Sequence, residues 1–501
     1  MFEIKNLIPR DYQKNILKTA IKNNALVVLP TGMGKTAVAI MLAINRLEEY
    51  PNSKALIMAP SKPLCEQHVQ TFLDNTTIPT EKISLLTGQI NPKIRKELFQ
   101  SSIIIIATPQ TIQFDLEKDR ISLEDVTLLV VDECHRSREK FANTIVARFY
   151  LEQAKNQRIL ALTASPGATK ERINEIKQNL NLNRVEIRTE KDSDVLPYVQ
   201  EKEIQWINVE LSEEFNDLKK LISLSYKEKL KRIKDLGFSK PLGLINKKDL
   251  LLLQKRFQDE IRQGKKTAFY SVSLVAQAIK LEHALTLLET QGVKALKEYF
   301  DKLKQDESRA AKNILKEEHI IKAVSFNDKL VEKNLIHPKQ EKLKEIVTKE
   351  LRENPSSKLM VFANYRFTVN ELVSFLKQVE GAKPGRLVGQ KDGLTQKQQI
   401  QIVKDFEENI YNILICTSIG EEGLHLSSAD LAIFYEPIPS EIRSIQRKGR
   451  VGRVKIGRII FLITKGTKDE AFYWSSFHKE KKMRKILYDM KKESNNLKDF
   501  L

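Results

Sequence analysis

Over roughly the first 190 residues, short unbroken apolar runs alternate with stretches of helical periodicity. The runs lie at 25–29 (ALVVL), 55–59 (ALIMA), 102–107 (SIIIIA), 128–132 (LLVVD) and 159–164 (ILALTA), each followed by turn-forming polar residues. A strand that is apolar on both sides must be covered on both sides, and the intervening amphipathic segments supply the covers. The pattern therefore predicts a parallel sheet between two helical layers. The same grammar returns at 358–363 (KLMVFA), 412–417 (NILICT), 431–435 (LAIFY) and 458–463 (RIIFLI). Between these halves the pattern changes to Leu, Lys, Glu and Gln at helical spacing. The stretch 278–303 predicts one long amphipathic helix, and 227–257 predicts two helices around a Gly/Pro turn. The expected division is an α/β domain at 1–204, an all-helical insertion at 205–335, a second α/β domain at 336–480 and a basic tail at 481–501.

With 501 residues, 41% of them hydrophobic, the chain is long enough for several packed cores and unlike a disordered polymer. No apolar run approaches the roughly 18 residues of a membrane span, and the start, MFEIKNLIPRDYQ, has no secretory apolar region. Three widely spaced cysteines, Cys65, Cys134 and Cys416, form neither a disulfide framework nor a zinc pattern. A reducing, cytoplasmic setting is expected. The formal charge of +19 suits a polyanionic partner, because counterion release dominates nucleic-acid affinity. A lysine-rich solvated surface is the alternative, and charge alone does not separate DNA from RNA.

Candidate chemistry sits just after the apolar runs, where open α/β sheets bind ligands. Residues 29–36 read LPTGMGKT. Pro30, Thr31, Gly32, Met33 and Gly34 would form a phosphate-cradling loop, with the glycines admitting close backbone approach. Lys35 would reach the β- and γ-phosphates of ATP, and Thr36 would ligate Mg²⁺. Leu29 stands where the general pattern has Gly. Residues 130–135 read VVDECH. Asp132 would hold Mg²⁺ and Glu133 would orient and deprotonate the attacking water. His135, with Thr163 and Ser165 of LTASP, is suited to coupling the two halves. Gln13, with Tyr12 and Arg10 nearby, has an amide suited to an adenine edge. Ser61, Lys62 and Thr108 follow the second and third runs and could hold nucleic-acid phosphates; turn formation alone is their bland alternative. In the second half, Asn364, Arg366 and Thr417 occupy similar positions, and Gly420 and Gly423 allow close approach, Gly423 to the nucleotide. The stretch 446–453, QRKGRVGR, supplies Gln446 and the candidate arginine fingers Arg450 and Arg453.

These motifs, in this order across both halves, resemble a superfamily 2 helicase. DECH, LTASPG, VGQKDGLTQKQQ (388–399), TSIGEEGL and FYEPIPSEIRSIQRKGRVGR (434–453) resemble the family of the archaeal Hef helicase and the Fanconi anaemia group M translocase. The resemblance implies two RecA-like domains with a thumb-like helical insertion used in recognising branched DNA. It also implies ATP-driven translocation on forked or branched DNA in a 3′-to-5′ sense, in fork or Holliday-junction repair. Family members often carry a C-terminal nuclease; this chain continues only about 48 residues past Arg453. It is expected to be a helicase-only protein or a piece of a longer one, with a nuclease as a candidate partner and its oligomeric state open. Two positions depart from the family: His425 stands where many relatives have Asp, and Val451 where Thr is common. The alternative functions are a duplex-RNA-dependent ATPase of the RNA-sensing branch, a non-motor ATP-regulated junction clamp, and a P-loop ATPase unrelated to nucleic acid.

Overall fold

The apolar runs become strands buried at every position but Lys54 and Arg458. In the computed structural model, residues 2–198, 202–238, 240–389, 393–417, 429–437 and 457–496 are described. A seven-stranded sheet is built from β1 (Ala25–Val28), β2 (Lys54–Met58), β3 (Ile83–Leu86), β4 (Ile104–Ala107), β5 (Val126–Val131), β6 (Ile159–Thr163) and β7 (Arg184–Ile187). Its order is β3-β4-β2-β5-β6-β1-β7, and all its pairings are parallel. Alternate residues feed opposite faces. Ala25 and Val27 join a core with helices α1 (Asp11–Lys22), α2 (Lys35–Glu49) and α3 (Lys62–Asn75), while Leu26 and Val28 face the other core. Helices α4 (Pro92–Ser101), α5 (Pro109–Leu116), α6 (Ala142–Gln153) and α7 (Lys170–Asn179) complete the cover.

The second sheet is six-stranded and also parallel, with β8 (Lys202–Val209), β9 (Leu359–Phe362), β10 (Pro384–Leu387), β11 (Ile413–Cys416), β12 (Leu431–Phe434) and β13 (Gly457–Thr464) in the order β10-β11-β9-β12-β13-β8. β8 corrects the expected boundary at 204/205. Residues 205–209 are not part of the helical insertion; they belong to β8, which pairs with β13 along its full length, from Lys202 opposite Gly457 to Val209 opposite Thr464.

The insertion comprises α8 (Glu213–Asp235), α9 (Lys247–Arg262), α10 (Ala268–Gln291), α11 (Val293–Gln305), α12 (Arg309–Leu315) and α13 (Glu318–Glu332). The single helix expected over 278–303 is two. α10 stops at Gln291 because Gly292 takes φ 91°, a conformation side chains rarely adopt, and α11 starts at Val293. Two apolar cores fill the bundle. One holds Phe215, Ile222, Leu288, Leu296 and Phe300; the other, formed with α9, holds Leu230, Leu250, Phe257 and Leu274.

Helices α14 (Pro338–Glu353), α15 (Arg366–Leu376) and α16 (Gln396–Glu407) belong to the second sheet. The last helix, α17 (Lys468–Asn496), runs straight through the expected domain–tail boundary at 480/481. Its Met483, Leu487 and Met490 are buried in the core of the first sheet. Burying each such side chain is worth about 1.5–3 kcal/mol, so this segment is a packed element rather than a loose tail. No described helix is long and apolar enough to cross a membrane.

Candidate nucleotide and nucleic-acid site

β1 delivers the chain into the glycine loop, and α2 begins at Lys35 with Gly34 as its N-cap in the left-handed region, φ 70° and ψ 43°. Gly34 is also confined by space: a Cβ there would lie 2.5 Å from Gln13 Nε2. Gln13 Nε2 donates to the carbonyls of Met33 and Gly34, each at 3.3 Å, and its Oε1 accepts the Arg10 N–H at 2.9 Å. The amide expected at an adenine edge is therefore engaged with backbone here, holding the loop from behind. Tyr12 adds a 2.8 Å hydroxyl donation to the Met33 carbonyl. Lys35 Nζ donates to the Leu29 carbonyl at 3.4 Å. Pro30, Thr31 and Thr36 are half-buried, Met33 is buried and Gly32 is exposed.

Asp132 is the first residue beyond β5 and its N–H donates to the Met58 carbonyl of β2 at 2.9 Å. Its Oδ2 lies 3.0 Å from His68 Nε2, and its Oδ1 accepts the Glu133 N–H at 2.9 Å. Burial pushes the Asp132 carboxyl up, but the His68 hydrogen bond, the charges of His68 and Lys35 and the Glu133 N–H outweigh it. The group sits below its ordinary value and is held ionised. Glu133 takes φ 50° and ψ 46°, a left-handed conformation uncommon outside glycine. His135 Nδ1 lies 3.2 Å from Glu133 Oε2 and 3.3 Å from Thr163 Oγ1. Thr163 Oγ1 donates to the Ser165 carbonyl at 3.2 Å and accepts the Ser165 N–H at 3.1 Å. The three residues expected to act in coupling thus form one network with Glu133.

Among the described residues no group of three or more His, Cys, Asp or Glu side chains converges as a metal site. The Thr36 hydroxyl and an ionised Asp132 still fit Mg²⁺, which characteristically takes few protein ligands and fills its shell with water and phosphate oxygens.

Ser61 and Thr108 cap the N-termini of α3 and α5, just past the neighbouring strands β2 and β4. The topology thus brings Ser61, Lys62 and Thr108 together on one side of Asp132 and places the glycine loop on the other. Lys62 Nζ donates to Gln89 Oε1 at 2.7 Å, and Thr108 Oγ1 lies 2.8 Å from Thr111 Oγ1. In the second sheet, Asn364 follows β9 and Thr417 follows β11, its neighbour. Asn364 donates its backbone N–H to Glu436 and its side-chain amide to the Pro437 carbonyl at 3.2 Å. Arg366 is exposed at the start of α15, and Thr417 is buried. Gly420, Gly423, His425, Gln446, Arg450, Val451 and Arg453 lie outside the described residues.

Two residues of this neighbourhood are not singled out by sequence patterning. His68, 4% exposed, occupies the sheet-facing side of α3 with Cys65 and Phe72, and a lone polar residue on an apolar face is its only signal. Glu436, 1% exposed, accepts from the Asn364 N–H and the Thr368 hydroxyl. Burial pushes its carboxyl up to about 7 despite the attraction of Lys339.

Residues 10–173 match the DEAD/DEAH box helicase family, 338–455 the helicase conserved C-terminal domain, and 214–335 the helical bundle of an ATP-dependent RNA helicase family. A Methanocaldococcus jannaschii protein named as an ATP-dependent RNA helicase is 38% identical over 97% of this chain and 61% of its own length. The ATP-dependent DNA helicase mph1 of Neurospora crassa is 33% identical over 93% of this chain and 42% of its own length. The chain therefore spans less than two thirds of either curated relative. The crystal structure of the Pyrococcus furiosus Hef helicase domain superposes with a TM-score of 0.75 at 42% identity, covering 93% of this chain and 98% of that one. On the ordered motifs, the two parallel sheets with a helical bundle between them and this near-complete match, the chain belongs to the superfamily 2 helicases, in the family of Hef and the Fanconi anaemia group M proteins.

Proposed function

We propose that this chain is an ATP-driven helicase or translocase that acts on forked or branched DNA. One observation carries the reading: a carboxylate kept ionised at a buried strand end, beside a left-handed glycine loop that opens a helix. ATP would lie across the loop, with its phosphates on the N–H groups at the start of α2. Lys35 would leave the Leu29 carbonyl for the β- and γ-phosphates. Glu133 would take the proton of the attacking water, and His135 would hold Glu133 against the Thr163–Ser165 turn. Mg²⁺ on Thr36 and Asp132 would neutralise phosphate charge and fix the reacting geometry. Gln446, Arg450 and Arg453, with Gly423, would complete the site from the second sheet. Nucleic acid would run over Ser61, Lys62 and Thr108 and on to Asn364, Arg366 and Thr417, and the helical insertion would read the branch.

The name of the Methanocaldococcus relative favours a second reading, an RNA-dependent ATPase. ATPase rates at one fixed salt with no nucleic acid, single-stranded DNA, forked DNA and duplex RNA separate the two. Forked DNA should stimulate most. Stimulation chiefly by RNA would transfer the protein to the second reading, and no stimulation would leave a clamp or an unrelated ATPase. Removing 213–332 should abolish the preference for forks while leaving basal hydrolysis; an unchanged preference would remove the insertion from branch recognition.

A further inference from the structure

One segment grips Asp132 from two directions. The Met58 carbonyl, at the end of β2, accepts the Asp132 N–H at 2.9 Å. The chain then passes Ser61 and Lys62, enters α3, and two turns later brings His68 Nε2 to 3.0 Å from Asp132 Oδ2. Ser61 and His68 are seven residues apart and share a helix face, with Cys65 between them, its thiol 3.5 Å from the Ala59 carbonyl. Phe72 anchors the same face and is fully buried. α3 is therefore one packed body whose N-terminus lies at the proposed nucleic-acid track and whose middle holds an oxygen of the proposed metal ligand. Two buried atoms on this face have no hydrogen-bond partner in the structure: Ser61 Oγ at the start and His68 Nδ1 in the middle. The imidazole is thus tethered on one side only, by Asp132. An unpartnered buried acceptor or donor is costly, and it leaves the ring free to follow its helix.

We propose that His68 is a positioning residue that couples strand engagement at Ser61 and Lys62 to the orientation of the Asp132 carboxylate. The inference rests on the proposed motor function. A phosphate seated on the N-terminus of α3 engages the N–H groups of its first turn, to which Pro63 contributes none, and the Lys62 ammonium. Any resulting shift of α3 is felt at Nε2, because hydrogen bonds weaken steeply with distance and angle. By reciprocity, a cation drawing on Asp132 biases α3 toward the nucleic-acid-bound position.

The test uses the full chain with ADP and manganese(II) as the spectroscopic substitute for magnesium. Free manganese is read by electron paramagnetic resonance with and without a forked DNA. In the unmodified chain, DNA should tighten manganese binding roughly fivefold or more. His68→Ala should lose that linkage, and His68→Gln, whose amide offers a non-titrating donor to the same oxygen, should restore most of it. If His68→Ala fails to fold by its melting curve, His68→Asn, too short to reach Oδ2, replaces it. Full linkage in the Ala or Asn variant overturns the proposal, as does absence of linkage in the unmodified chain. In that last case the ATPase assay on the same sample decides the rest. DNA-stimulated hydrolysis leaves the motor standing without this role for His68, whereas no hydrolysis removes the motor as well.

Discussion

The two sheets place a buried carboxylate at corresponding points, just past a central strand, and treat it in opposite ways. Asp132 follows β5 and is held below its ordinary range by His68, Lys35 and the Glu133 N–H. Glu436 follows β12 by two residues, and burial pushes it up to about 7 although two donors and Lys339 favour its charge. Position in the fold therefore does not by itself set a carboxylate's charge. A cationic partner close enough to offset lost hydration keeps Asp132 charged. Glu436, near neutrality, serves instead as a hydrogen-bond hub tying β12 to the turn that carries Asn364 and to Thr368 of α15.

The strongest way to break this contrast is on the charged side. Lys35→Ala and Asp132→Asn should each reduce ATP hydrolysis by roughly 10³-fold; DNA affinity should stay nearly unchanged in Lys35→Ala and lose its metal-linked part in Asp132→Asn. Retained hydrolysis in either variant would remove the site from the first sheet. Next comes the ion pair beneath Glu436. Lys339 and Asp469 meet at 2.6 Å with side chains 0% and 1% exposed. Lys339→Met leaves a buried charge unpaired and should cost about 3–5 kcal/mol by urea unfolding. A loss below about 1 kcal/mol would mean that water reaches the pair.

The pH dependence sharpens the comparison further. Glu436 binds its proton more tightly folded than unfolded, so its contribution is complete below about 4.5 and is lost as pH rises through 7. Glu436→Gln, which cannot ionise, should therefore gain stability relative to the unmodified chain between pH 5 and pH 8, by about 3 kcal/mol at most. Asp132→Asn should instead show no pH-dependent difference over that range, its deficit relative to the unmodified chain shrinking only as pH falls below about 4. The depressed carboxyl of Asp132 stabilises above the unfolded value and loses that effect as pH falls through the folded one. Parallel pH profiles for the two variants would erase the distinction. The smallest effect belongs to Tyr488, whose hydroxyl meets Asp192 Oδ2 at 2.8 Å and Thr189 Oγ1 at 3.0 Å. Tyr488→Phe should cost about 1 kcal/mol in the melting of the first domain; no change would leave the docking of α17 to its apolar residues alone.

Patterning reveals the central strands because their burial on both faces writes a continuous apolar run. It misses β3, β7, β8 and β10, which lie at or beside sheet edges. β8 reads KEIQWINV, a mixed sequence whose Gln205, Trp206 and Asn208 are exposed. An edge strand needs apolar residues only where a neighbour covers it, so its signal is weak and the expected 204/205 boundary cuts through it. The glycine loop and the DECH turn are local in sequence and legible there. The Asp132–His68 contact joins residues 64 positions apart, a separation that carries no spacing signature. The break at Gly292 is hidden for another reason: apolar spacing continues across it, and only the backbone angle changes.

α17 gives the molecule a second connection between its lobes. It starts beside β13, where Asp469 meets Lys339, and ends with Met483, Leu487 and Met490 in the core under the first sheet, the Met483 sulfur 2.9 Å from the Ser165 hydroxyl. With β8 already crossing from the first lobe to the second sheet, the chain forms a closed linkage. A closed linkage cannot lengthen freely. Its permitted motion is rotation about the closing member, which turns a small change at one end into a swing at the other. Nucleotide-driven motion in this protein should therefore be a rocking of one lobe about α17, with Ser165 close to the pivot.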